Sequence, residues 1–262
     1  MNTPLSQFNI KPKSWFFLFL LIPIEHSLFA QNNRKDLMLK SSLYDLSYID
    51  FNIDVYQFDA EQYLVSQTGN TLLQLNQSSF LNLEYNISNA WDHGISTTTM
   101  GDFSVSYSKN HYSKNYQKAG FQGVATSVKM ILPTGNLKYL SGFDNWIIEP
   151  SVYFGWKFKN KKNYFASKIR TNIPFAPLPE APLSFSYGRY EAIIGYEDYN
   201  FWLATTLDNR ITFDHYHYTL LCKLELGIKL DTTNGLFAST TNRLIGKFYY
   251  QNYINFGYYK CL

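Results

Sequence analysis

Two cysteines are all that 262 residues contain. Cys222 and Cys261 fall on opposite faces of different strands in the pattern traced below, so no disulfide framework is expected, and their spacing suits no zinc site. Charge is scarce too, with Asp, Glu, Lys and Arg at 16% of the chain. A formal net charge of +3, carried by dispersed Lys and Arg, is too weak for a nucleic-acid surface. After residue 30 no apolar run approaches the ~20 residues that a membrane helix needs. Glycine-rich phosphate loops and glycosidase-type carboxylate pairs are also missing. What is abundant is aromatic: 22 Tyr and 21 Phe, with aromatics at 18%.

Those aromatics follow a rule. From Trp146 to Phe158 alternate residues are apolar: Trp146, Ile148, Pro150, Val152, Phe154, Trp156 and Phe158. Between them lie Ile147, Glu149, Ser151, Tyr153, Gly155 and Lys157, mostly polar or small. A period of two means an extended strand with two unlike faces. A long strand with aromatics at its ends is the form of a membrane-crossing barrel strand, apolar to lipid and polar to lumen. A mean hydropathy of -0.25 is then the average of two opposite faces. A soluble sandwich would have to bury the charged faces in its core, at high cost.

The pattern recurs. Val124, Thr126, Val128, Met130 and Leu132 share one face, against Ala125, Ser127 and Lys129. Phe165, Ser167, Ile169, Thr171 and Ile173 oppose Lys168, Arg170 and Asn172. Tyr216 to Leu230 repeats it, with Leu220, Cys222, Leu224 and Leu226 against Thr219, Lys223, Glu225 and Lys229. Strands are expected at 50–58, 62–77, 79–88, 101–108, 120–132, 146–158, 163–173, 184–196, 199–208, 214–230, 235–243 and 247–260. Twelve is an even number, as a closed single-chain barrel prefers. Short turns at 159–162, 197–198 and 231–234 alternate with longer loops at 89–100, 133–145 and 174–183, as for periplasmic and outer connections; the last connection, near 244–246, is short where a loop is expected. The fold class is therefore all-β: a transmembrane antiparallel up-and-down barrel spanning 50–262, preceded by a periplasmic lead-in over 31–49.

Residues 1–30 read as a secretory signal. Lys11 and Lys13 precede the apolar run Trp15 to Ile24, and Ser27-Leu28-Phe29-Ala30 places cleavage before Gln31. No cysteine follows the cut, which argues against a lipoprotein. The final segment Asn255 to Leu262 resembles the aromatic assembly signal of outer-membrane barrels, closed here by Leu262 where Phe is usual. The expected location is the outer membrane of a Gram-negative bacterium.

Gly101-Asp102 opens one strand, and Leu132-Pro133-Thr134-Gly135 tops the next. Gly142 and Asp144 follow in a loop, with Pro150 in the strand after it. From Gly101 to Lys159, roughly a quarter of the chain, this order resembles a family of outer-membrane porins named for the meta-pathway of phenol degradation. The resemblance implies a barrel for uptake of small, often hydrophobic compounds, with no catalytic residues.

Eight charged residues are expected to face inward at mid-height: Lys129, Glu149, Lys168, Arg170, Arg189, Glu191, Lys223 and Glu225. They could set ion selectivity, as charged rings do in channels, or form a salt-bridged plug. A twelve-strand barrel is only ~24 Å across between backbones, from ~4.8 Å strand spacing and ~40° tilt. The five cations among the eight outnumber the three anions, so an open lumen should favour anions slightly. The expected partners are lipid and a small solute, with no cofactor and no nucleic acid. A structural or adhesion barrel with binding loops is the competing reading. A lipid hydrolase is a further alternative, needing a serine–histidine pair open to lipid. His93 and His111 fall in expected connections, and His215 and His217 face inward without a ligating partner. No histidine is therefore expected on the lipid face, and no metal site is expected.

Overall fold

The computed structural model describes residues 47–58, 62–92, 95–113, 119–135, 145–160, 162–177, 186–213, 217–231, 233–246 and 251–262. The expected signal and most of the lead-in, 1–46, lie outside them, as does His215. Thirteen strand segments follow in order: β1 Tyr48–Gln57, β2 Gln62–Asn76, β3 Ser79–Asp92, β4 Ile95–Met100, β5 Phe103–Ser113, β6 Gly120–Leu132 and β7 Asn145–Lys157. The remainder are β8 Asn163–Pro177, β9 Tyr187–Glu197, β10 Phe201–Thr212, β11 Tyr218–Lys229, β12 Asn234–Ile245 and β13 Asn252–Cys261.

All pairings are antiparallel, and β13 returns to β1 from Tyr48↔Cys261 to Gln57↔Asn252, so the sheet closes on itself. Thirteen segments make twelve staves. β3 pairs with β5 over Ser79–Glu84 and with β4 over Ile87–Asp92, so β4 and β5 are one stave broken at Gly101-Asp102. Closure satisfies the backbone groups that an open edge would leave bare in lipid.

The break is held by the very residues that carry the family resemblance. Thr134 Oγ1 donates to the Gly101 carbonyl at 2.8 Å and accepts from Phe103 N at 2.7 Å. Gly135 N donates to Asp102 Oδ1 at 2.8 Å, and Gly101 N donates to Asn86 O at 3.0 Å. These bonds replace ladder bonds that the interrupted stave loses. A Cβ at 101 would meet the end of the Asn86 side chain, which would have to shift.

The long loop expected at 89–100 is thus mostly strand: β3 runs on to Asp92 and turns back as β4. Its Thr-rich composition hid a hairpin whose side chains need no apolar face. The last connection is also longer than expected, because β12 ends at Ile245 and β13 starts at Asn252. It therefore takes its place among the longer connections at that end of the barrel. The strands expected at 184–196, 214–230 and 247–260 begin later, at Tyr187, Tyr218 and Asn252.

The alternation holds in space. Ile194, Val128, Leu224, Leu226 and Ile228 are exposed on the outside, whereas Ile147, Ala125, Ala166 and Leu221 are buried within. Trp146 and Trp156 stand ten residues apart on β7. That separation spans ~33 Å along the strand, or ~25 Å of height at ~40° tilt, the apolar band of an outer-membrane barrel. Trp146 packs beside Phe175 at one rim, and Phe121–Trp156 and Tyr196–Phe201 pack at the other. Amphipathic rings at those depths suit the two lipid–water interfaces. Neither Cys222 nor Cys261 is in a disulfide.

Inside, at the short-turn end, aromatics lie across glycines. Tyr164↔Gly195, Trp202↔Gly227, Tyr259↔Gly235 and Phe237↔Gly257 are direct cross-strand partners, and each ring occupies the space a Cβ would need. Tyr164, Ala166, Ile193, Trp202, Ala204 and Tyr259 form one buried cluster there, with Phe237 and Cys261 against it. The Trp202 and Tyr259 rings meet at 5.8 Å although β11 and β12 separate their strands. Only inward-facing glycines on those two strands leave room for that contact.

Candidate functional site in the barrel lumen

The inward faces of β6 to β11 build a charged wall. Register sets Arg170 opposite Arg189, and Arg189 opposite Arg210, so three guanidiniums stand side by side on β8, β9 and β10. Like charges directly opposite repel. Carboxylates threaded among them remove the problem. Arg170 donates to Glu149 at 3.1 Å and to Glu191 at 3.4 Å. Arg189 donates to Glu191 at 2.5 Å and to Asp208 at 2.7 Å, and Arg210 reaches Asp208 at 2.8 and 3.1 Å. These groups are largely shielded: the Arg170 side chain is 14% exposed and that of Glu149 6%.

The ladder continues on both sides. Lys129 bonds Glu84 at 2.7 Å, although β5 separates their strands. The inward residues of β5 between them, Ser104, Ser106 and Ser108, are small enough to be reached over. Lys223 meets Glu225 at 2.6 Å, and the Trp202 indole donates to Glu225 at 3.0 Å. Lys168 lies 4.7 Å from the Tyr153 ring centroid, a cation–π contact. All eight residues singled out in the sequence lie on β6 to β11. Glu84, Asp208 and Arg210 join them. Two of these three are acids, which brings the wall closer to neutral than the sequence count.

The facing wall, β12, β13, β1 and β2, is built differently. Asp54 accepts from Thr68 at 2.8 Å, Tyr253 at 2.6 Å and Asn255 at 2.5 Å. Asp50 accepts from Asn52 at 2.8 Å and Asn70 at 2.7 Å. These donors are all neutral. Toward the long-loop end the Tyr56 and Tyr253 rings stack with centroids 4.5 Å apart, and Phe58 follows at 6.4 Å.

At the short-turn rim Asp198 ties two turns together. Its carboxylate takes hydrogen bonds from Lys162 at 2.8 Å, Tyr196 at 3.0 Å and its neighbour Tyr199 N at 2.8 Å. Lys162, first, then Tyr199 and Tyr196 hold it down at about 2. Asp231 is held at about 2 by Asn234 and Thr233 in the next turn.

One histidine corrects the sequence reading. His111 lies within β5, beside a bulge at Asn110/Tyr112, and its exposed ring bonds Thr126 Oγ1 at 2.6 Å on the outside of the barrel. β5 runs on to Ser113, past the strand end expected at 108, and the same alternation that buries Ser104, Ser106, Ser108 and Asn110 puts His111 outside. No cluster of three or more potential metal ligands exists among the described residues.

No protein-family model matches the sequence, and a comparison with curated proteins finds no match. Solved structures do match in fold. An outer-membrane channel from Pseudomonas putida F1 superposes with a TM-score of 0.62 at 14% identity, covering 84% of this chain and 97% of the channel. The NanC porin gives 0.60 at 11% identity, with 82% and 100% covered. The KdgM porin, solved with disordered oligogalacturonate, gives 0.57 at 11% identity, with 82% and 99% covered. The resemblance to the meta-pathway porins rests on its motif residues, and the chain folds as a twelve-stave outer-membrane β-barrel of the Gram-negative type.

Proposed function

We propose that this barrel passes small solutes across the outer membrane after export by the signal at residues 1–30, and that it is not an enzyme. One observation carries the reading. Polar and charged side chains line an inward face closed on all sides, while lipid-type residues cover the outside. The channels and porins of like fold support it. The lumen charges are then the selectivity zone, near balance on the arginine wall and acidic on the other. A Lys168→Glu variant should shift reversal potential in a salt gradient toward cations.

Shielding of the arginine ladder favours a second reading, in which those charges close the lumen as a structural plug. Liposome swelling and planar-bilayer conductance separate the two. Solute-dependent swelling above a lipid control supports passage, and a silent barrel with native heat-modifiable mobility supports the plug. His111 and Thr126 do not restore the hydrolase reading, since among the described residues no carboxylate bonds that ring.

A further inference from the structure

Arg243 stands apart from every other inward cation. It sits opposite Leu221 on β11, two residues beyond the buried Thr241, so it faces the lumen near the long-loop end of β12. The inward guanidiniums Arg170, Arg189 and Arg210 each hold a carboxylate, whereas the Arg243 side chain meets none among the described residues. Its donors are therefore available. Thr241 pairs with Tyr253, which places Arg243 on the diagonal to that ring, within reach of a long side chain. Tyr253 in turn stacks on Tyr56, with Phe58 beyond.

A guanidinium takes a carboxylate bidentately. The Tyr56–Tyr253 stack on the diagonal would give flat apolar contact to the body of the same molecule. We propose that Arg243, Tyr253 and Tyr56 form a binding site for small ring-bearing carboxylates at the outer mouth of the lumen. The proposal rests on the solute-passage reading and names the solute class that the mouth selects. The acidic wall below, Asp54 and Asp50, repels such a ligand and so confines it to the mouth.

The test is calorimetric titration of the intact barrel in detergent, which needs no conduction. The probes are benzoate and glucuronate, against acetate and the uncharged benzyl alcohol and glucose. Wild type should bind at least one ring carboxylate about ten-fold or more tighter than acetate and than its uncharged counterpart. Arg243→Gln should lose about ten-fold or more, the worth of a charge-assisted pair. Arg243→Lys should fall between, and Tyr253→Leu should erase the preference over acetate. Heat-modifiable mobility confirms folding, and Arg243→Lys keeps the test decisive if Arg243→Gln misfolds. Equal affinity of wild type and Arg243→Gln, or of acetate and both ring carboxylates, or no binding of either ring carboxylate, overturns the proposal. Which probe binds tells whether the body is aromatic or a sugar. Binding in a barrel that conducts nothing would leave the site standing and sink the passage reading.

Discussion

The two walls of the lumen bury negative charge by opposite means. On β6 to β10 each carboxylate is matched by a guanidinium or ammonium, and the pairs interlock across strands. On β13, β1 and β2 hydroxyls and amides hold Asp54, and amides of Asn52 and Asn70 donate to Asp50. The first arrangement cancels charge and fixes long side chains. The second keeps the charge and spreads it over short, rigid donors. Removing a partner should therefore be far more damaging on the first wall, because the loss strands other charges in a confined space.

Arg170→Leu tests that most sharply. It leaves Glu149 and Glu191 facing each other without the bridge, and should cost about 3–5 kcal/mol in urea unfolding from bilayers. A loss below that of the facing-wall variant would dissolve the contrast. Next comes a contrast between inside and outside. Leu224→Arg places charge on the lipid face and should cost about 2–4 kcal/mol near mid-membrane, while Glu225→Arg, one residue on, should leave more protein folded by gel mobility. Equal losses would count against the face assignment.

On the facing wall Asp54→Asn keeps the shape and removes the charge. Expected here is a smaller loss, about 1–2 kcal/mol, because neutral donors can rebond to an amide oxygen. The smallest effect belongs to the turns. Asp198 and Asp231 have depressed native values near 2, so their contribution is complete above about pH 4, their unfolded range, and fades as pH falls toward 2. Melting temperature in that window should drop less in the Asp198→Asn, Asp231→Asn double variant than in wild type.

The staves were readable because lipid and lumen demand opposite side chains, and β7 meets that demand at nearly every position. Where the demand lapses, the reading lapsed. Ile95-Ser96-Thr97-Thr98-Thr99-Met100 shows little alternation between apolar and charged residues, so β4 looked like loop. The eight lumen charges followed from alternation, but their partners did not all follow. Lys129 reaches Glu84 across an intervening stave, whereas neighbour-to-neighbour reasoning links only adjacent strands. Asp208 and Arg210 sat at or past the expected end of their strand, which β10 extends to Thr212. His111 looked like part of a connection because its strand was expected to end at 108; β5 continues to Ser113, and the unbroken alternation from Ser104 to Asn110 puts His111 outside.

Trp202 turns the glycine–aromatic girdle into an optical signal. Its indole touches Tyr259, and Tyr259 belongs to the stave that arrives last in the chain and docks on the first. A half-assembled sheet can form β10 and β11 without that contact. Apart from Trp15 in the expected signal, the other tryptophans, at 91, 146 and 156, face outward and report lipid. With those three replaced by phenylalanine, emission from Trp202 would time the moment when the two ends of the chain meet.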